Sequence, residues 1–354
     1  MKSNKKFFKN KKSLPIDKFF NNVLFDKKNG YYSSKLPFGA SGDFITAPGI
    51  SNLFSEMVGI WLISTWNVFG KPKKFNIVEL GPGDGKLTKV LLKVFQKFPE
   101  FEKSINIFLY EKSNFLKNLQ KKNIGKSKIK WIKTFSNIKN GPVVFFGNEF
   151  FDAIPIKQFL RKKDLLLEKN FSIKKNNKIF EVYKKASSKN FSQIEKFESL
   201  KKLQFIEFPL LGFEELGKMI KKISKLNGGI LLIDYGYLKP NNNNTLQSVM
   251  RHKKNNLLDN LGHADITSLV NFGLLNEYFI KSDLKVKEII TQKFFLEKLG
   301  IVERANNLSK KMTFKEQSNL YLRLKRLLDN DLMGRLFKVI FTYKFKKNTF
   351  LGFE

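Results

Sequence analysis

The sequence predicts an α/β fold: a mostly parallel sheet covered by helices on both faces, with a helical N-terminal region and an inserted β-hairpin. Three observations lead there. Short apolar runs alternate with longer segments of helical period between residues 75 and 149, and a Gly-rich turn joins the first such strand to the first such helix. Between residues 156 and 210 that rhythm breaks, and two strand-like runs flank a KKNN turn. Parallel neighbours need crossover connections, which the helical segments supply.

Residues 1–35 are polar and basic, and the spacing of Leu14, Ile16, Phe19, Phe20, Val23 and Leu24 predicts a short helix after Pro15. In SNLFSEMVGIWLISTWNVF (51–69) apolar side chains recur at three- and four-residue steps, predicting a buried helix with Ser51 as N-cap. FNIVEL (75–80) predicts a buried strand, GKLTKVLLKVFQKF (85–98) a helix and INIFLYE (105–111) a second strand. SNFLKNLQKK predicts the next helix, KIKWIK a third strand, VVFFGNE (143–149) a fourth and GGILLIDYG (228–236) a fifth. LLLEKNFSI and KIFEVYKK form the predicted hairpin. Residues 241–267 are long, polar and irregular, the pattern of a binding loop or of disorder, with Asp265 or Thr267 as a candidate helix cap. Helices are expected over 291–330, and RLFKVIFTYKF (335–345) alternates like a closing strand. The expected organisation is therefore an N-terminal helical or lid region (1–70) and the first part of the sheet domain (71–155). An inserted β subdomain (156–210) follows, then the remainder (211–354) with a substrate-binding loop at 238–265.

The 354 residues leave ample material for a buried core. With no Cys, disulfides, Cys-ligated zinc, iron–sulfur clusters and thiolate nucleophiles are excluded. The two histidines, His252 and His263, lie eleven apart without clustered carboxylates, so no metal site is expected. The basic N-terminus lacks an apolar signal core, and the longest apolar runs are too short to span a bilayer, so a cytoplasmic protein is expected. The net charge of +35 invites a nucleic-acid reading, but 60 of the 66 basic residues are Lys, spread along the whole chain as solvated faces would be.

IVELGPGDGKLT (77–88) places Gly81, Gly83 and Gly85 between a strand and a helix, where backbone can approach a ligand closely. The spacing misses the phosphate-binding P-loop, and the third glycine comes one residue early for the dinucleotide fingerprint. Glu79, just before the turn, would repel a pyrophosphate but suits the ammonium of a methionine moiety. Glu111 ends the second strand, where a carboxylate can accept both ribose hydroxyls of an adenosine. Glu79, Gly81, Pro82, Gly83, Asp84, Gly85 and Glu111 together specify S-adenosylmethionine (SAM) better than NAD or ATP, although either carboxylate alone suits a cap equally well.

SGDFITAPGISNLFSEMVGIWL (41–62), IVELGPGDGKL (77–87), GNEFFDAIPIKQF (147–159), LLIDYGY (231–237), TLQSVMRH (245–252), GHADITSLVNF (262–272) and TQKFFLEKLGI (291–301) resemble the MidA/NDUFAF7 family. The resemblance covers most of the chain. It implies a class I SAM-dependent methyltransferase with a Rossmann-like domain. It also implies a protein arginine methyltransferase activity on a respiratory complex I subunit during assembly, because the family's mitochondrial member has it. Two positions depart from the family: Gly49, where it usually carries Glu, and Asp84, where it commonly carries Arg.

Methyl transfer from SAM is an in-line displacement that depends on alignment more than on acid–base strength. An arginine acceptor stays protonated in solution, so carboxylates that pair with its guanidinium should aim it. GNEFFDAIP (147–155) follows the fourth strand and offers Asn148 to the cofactor and Glu149 as the guanidinium-orienting catalytic group, with Asp152 assisting. Alternatively, Glu149 and Asp152 cap the next element. Asp43 and Thr46 either close over SAM as a lid, or Asp43 is a turn residue and Thr46 a strand-end hydroxyl. Glu56, Asp234, Tyr235, Arg251, His252 and His263 are the substrate-binding candidates. Two other functions fit the chain: a noncatalytic assembly factor that binds SAM and a partner subunit, or an RNA methyltransferase that uses the basic surface.

Overall fold

A computed structural model describes residues 4–34, 37, 39, 42, 43 and 45–354. The chain divides into two units, one formed by Met1–Phe44, Phe151–Gly217 and Tyr237–Tyr278, the other by Ile45–Phe150, Lys218–Gly236 and Phe279–Glu354.

The second unit holds the parallel sheet. Phe75–Leu80 pairs in parallel with Ile105–Tyr110 on one side and Val143–Asn148 on the other. Ile129–Ile132 and Gly228–Tyr237 extend the sheet in the same sense, and Phe337–Lys344 closes it antiparallel against Gly228–Tyr237. Every residue of Phe75–Leu80 is buried, as a strand covered on both faces requires. The two-residue period sends Phe75, Ile77, Val144 and Phe341 into one core with Trp61, Phe295 and Leu327 from helices Asn52–Val68, Gln292–Lys298 and Phe314–Leu328. Phe145, on the opposite face, meets the Phe135 ring at 5.0 Å. Asn52–Val68 starts at Ser51, whose hydroxyl accepts the Leu53 N–H. That helix rests on Lys86–Phe95 at Gly59, where a Cβ would come within 3.1 Å of Val94.

The first unit is antiparallel. The predicted hairpin, Leu165–Ile173 with Ile179–Lys185, is present. It belongs to a five-stranded sheet with Ser13–Pro15, Lys157–Lys162 and Phe205–Phe208. Helix Ile16–Phe25 packs on this sheet through Phe19 and Phe20, whose rings lie 5.1 and 5.5 Å from that of Phe171.

Residues 241–267, expected as an irregular loop, contain a three-stranded sheet of Gln247–Met250, Lys253–Asn255 and Asp265–Thr267. Asp265 and Thr267 therefore lie in a strand and not at a helix start: a main chain already paired with Gln247 and Val249 has no helical N–H groups to cap.

Candidate active site

The Gly-rich turn leaves the C-terminal end of Phe75–Leu80 and enters Lys86–Phe95. Gly81, Gly83 and Gly85 all have left-handed φ, at 60°, 58° and 83°. Side chains are doubly unwelcome here, since a Cβ on Gly81 would meet the Phe150 ring at 3.0 Å and one on Gly85 would meet Ile124 at 3.1 Å. The Gly85 N–H closes the turn on the Pro82 carbonyl at 2.9 Å. Asp84 accepts the Lys86 N–H at 3.1 Å and pairs with its ammonium at 2.9 Å, so a cation within the turn matches its charge.

Glu79 is 3 % exposed and accepts a hydrogen bond from the Thr88 hydroxyl on the following helix. Burial pushes its carboxyl up to about 8, with Asp84 adding a smaller repulsion and Thr88 opposing both. At the adjacent strand end Glu111 accepts the Ser113 N–H at 2.7 Å and Gln120 Nε2 at 3.0 Å. Burial raises its carboxyl as well, chiefly against the Ser113 hydrogen bond. Gln120 also donates to the Gly83 carbonyl at 2.9 Å, and Trp131 Nε1 holds its carbonyl at 2.9 Å. One fully buried amide thus ties the glycine turn to the Glu111 carboxylate. Sequence reasoning missed Gln120, Trp131 and Thr88; the available signal for Gln120 was a polar residue among the apolar positions of helix Asn114–Ile124.

Asn148 and Glu149 end the neighbouring strand. Asn148 Oδ1 is buried and has no hydrogen-bond partner. Glu149 has a left-handed φ of 51°, rare outside glycine, and its Oε1 accepts the Ala47 N–H at 3.2 Å and Asn148 Nδ2 at 3.1 Å. Thr46 stands next to Ala47, and its carbonyl accepts the Gly49 and Ile50 N–H groups. Gly49 is exposed, and a Cβ there would approach Ile45 at 3.3 Å, so the family's larger residue is not barred by backbone.

Glu79, the glycine turn, Glu111, Asn148, Glu149, Thr46, Glu56, Asp234 and Tyr235 all fall in the second unit, whereas Asp43, Asp152, Arg251, His252 and His263 fall in the first. Glu56, half-buried, is paired with Arg304 at 2.7 and 3.5 Å, which matches its charge. Asp234 is buried and accepts the Tyr235 N–H at 3.0 Å. In the first unit Asp43 accepts the Tyr31 hydroxyl at 2.6 Å and the Arg251 N–H at 2.7 Å. Asp265, buried and hydrogen-bonded by the Tyr32 hydroxyl at 3.0 Å, is pushed up to about 7 by burial and then by Asp152. The Asp152 carbonyl accepts the Ser268 N–H at 3.2 Å. Arg251 and His252 are exposed, as is His263. Among the described residues no group of His, Cys, Asp and Glu is arranged to hold a metal.

The sheet, its glycine turn and the carboxylates at two adjacent strand ends have the layout of a nucleoside-binding α/β domain. Residues 57–290 match the model of a family of S-adenosyl-L-methionine-dependent methyltransferases, and the chain belongs to that family. Its relatives carry a more particular name. The chain is 30% identical to the protein arginine methyltransferase NDUFAF7 homolog, mitochondrial, of Caenorhabditis elegans, over 87% of this chain and 78% of that protein. It is 29% identical to the protein arginine methyltransferase NDUFAF7, mitochondrial, of Xenopus laevis, over 94% and 82%. A Burkholderia thailandensis protein solved with S-adenosyl-homocysteine shares the fold, with a TM-score of 0.81 at 20% identity over 96% of this chain and 90% of that one.

These names correct one expectation. The chain was expected to be cytoplasmic, yet its relatives from frog, worm and human are named as mitochondrial proteins. The apolar-run signals behind that expectation do not separate two aqueous compartments. Among the described residues no helix is long and apolar enough to cross a membrane.

Proposed function

We propose that the chain transfers a methyl group from SAM to an arginine side chain of a respiratory complex I subunit during assembly. The relatives' printed names support the arginine acceptor, and the complex I subunit is what the family resemblance implies. The observation that carries the catalytic reading is Glu149, a carboxylate on left-handed backbone at a strand end, fixed by two donors beside the glycine turn's strand.

When bound, SAM supplies an electrophilic methyl on a sulfonium. Gly81, Pro82, Gly83, Asp84 and Gly85 bring backbone against it, Glu111 accepts the ribose hydroxyls, and Glu79 meets the methionine cation. The buried, unpartnered Asn148 Oδ1 is a fitting acceptor for the same ammonium, which would satisfy an otherwise orphaned atom. Glu149 pairs with the acceptor guanidinium, turns one terminal nitrogen toward the methyl and receives the proton that this nitrogen sheds.

The test is transfer of labelled methyl from SAM to a panel of purified complex I subunits, followed by site mapping. Label on arginine is expected. Glu149→Gln should lower turnover at least about a hundredfold while SAM affinity holds, given what a positioned proton acceptor contributes. Unchanged turnover in a folded variant removes Glu149 from this role. No label on any subunit, with SAM bound, favours a noncatalytic assembly factor.

A further inference from the structure

Strands Gln247–Met250 and Lys253–Asn255 pair with Met250 opposite Lys253, so Arg251 and His252 form a two-residue hairpin loop. Both have left-handed φ, 51° and 61°. Two-residue hairpin loops with positive φ at both positions favour Asn-Gly or Gly-Gly, because side chains crowd the backbone there. This tip carries instead an arginine, one of six in the chain, and one of its two histidines. Both side chains are exposed.

A loop of this kind turns its two N–H groups outward, away from the ladder. Asp43 takes both: its Oδ1 accepts the Arg251 N–H at 2.7 Å, and its own carbonyl accepts the His252 N–H at 3.2 Å. The other carboxylate oxygen is held by the Tyr31 hydroxyl at 2.6 Å. Asp43 is 2 % exposed, so these bonds are shielded from water.

We propose that Asp43 is a positioning residue that locks the Arg251–His252 tip in left-handed geometry, so that the guanidinium and imidazole dock carboxylates of the acceptor protein. This rests on the methyltransferase reading above, with the 238–265 segment as the acceptor-binding region. An exposed guanidinium beside an exposed imidazole at one hairpin tip suits an acidic docking segment.

Three variants test it. Arg251→Asn combined with His252→Gly installs the sequence the turn prefers, so the protein should melt at a higher temperature. Its KM for the labelled complex I subunit should nevertheless rise about tenfold, with kcat and SAM affinity unchanged. A merely structural tip would gain stability and keep its KM, and that result overturns the docking role. Asp43→Ala should speed hydrogen exchange of the Arg251 and His252 amides at least tenfold, leave exchange in Phe75–Leu80 unchanged and raise KM in the same way. Asp43→Asn, which keeps an oxygen for the Arg251 N–H, should recover part of both. Unaltered exchange in Asp43→Ala overturns the lock. If no subunit accepts methyl, the functional reading fails separately, and the exchange experiment still decides whether Asp43 holds the tip.

Discussion

Glu79 sits sealed at the foot of the glycine turn with a carboxyl pushed up to about 8 by burial. At pH 7 such a group is about 90% protonated, and ionising it costs about 1.4 kcal/mol. A cation brought within about 4–6 Å favours the ionised form and lowers the carboxyl by roughly one to three units. Taking two units, the bound value is about 6, the coupling is about 2.7 kcal/mol, and binding at pH 7 releases about 0.8 proton. The affinity for SAM should therefore climb by about sixfold per pH unit around pH 7, and roughly 25-fold between pH ~6 and ~8, through this group alone. Glu79→Gln keeps the shape and the Thr88 contact but has no proton to release. The assay is titration calorimetry in two buffers of different ionisation enthalpy at several pH values, comparing wild type with variant. Taking the difference cancels the titration of the ligand's own amine. Equal proton counts for the two proteins would refute the claim that a neutral buried carboxyl must ionise to hold the cofactor.

Two further predictions rest on single residues. Gly83→Val places a β-branched side chain at a φ of 58°, and calorimetry should find SAM binding abolished while the folded sheet persists; retained affinity would move the cofactor away from this turn. Asp265 is raised from 3.8 to about 7, chiefly by burial, so the folded state holds its proton more tightly than the unfolded chain. Its stabilising contribution is complete below pH ~4 and is lost as pH rises to about 7, a swing of up to about 4 kcal/mol. Asp265→Asn should flatten that decline, its melting temperature gaining on wild type as pH increases; a constant difference from pH 4 to 8 would contradict the assignment.

The parts of the site legible in the sequence are those whose signals are local. Gly81, Gly83 and Gly85 stand between a strand and a helix within five residues, and Glu79 and Glu111 occupy strand ends that the apolar runs already mark. The parallel sheet follows from the same runs, because a strand covered on both faces reads as continuous hydrophobicity. Parts that depend on distant partners left no comparable trace. Ser13–Pro15 joins the antiparallel sheet with only three residues, too few to show a period. Gln120 acts through Gly83, 37 residues away, and Asp43 through Arg251, 208 residues away.

The Asp43 case shows how residue type alone leaves a role open. Within SGDFITAP a carboxylate beside glycine and proline suits a lid on a cationic cofactor as well as a turn. In the structure its hydrogen bonds run to Tyr31 and to the hairpin tip, and the nearby buried Asp265 shows how costly another uncompensated charge would be there. The hairpin tip escaped notice for the converse reason: Arg-His carries none of the Asn-Gly signature by which such turns are recognised. A turn that departs from its preferred residues while a buried aspartate restrains it is a local conflict between sequence and backbone. Two adjacent left-handed residues with long side chains closing a two-residue hairpin direct attention to what those side chains contact.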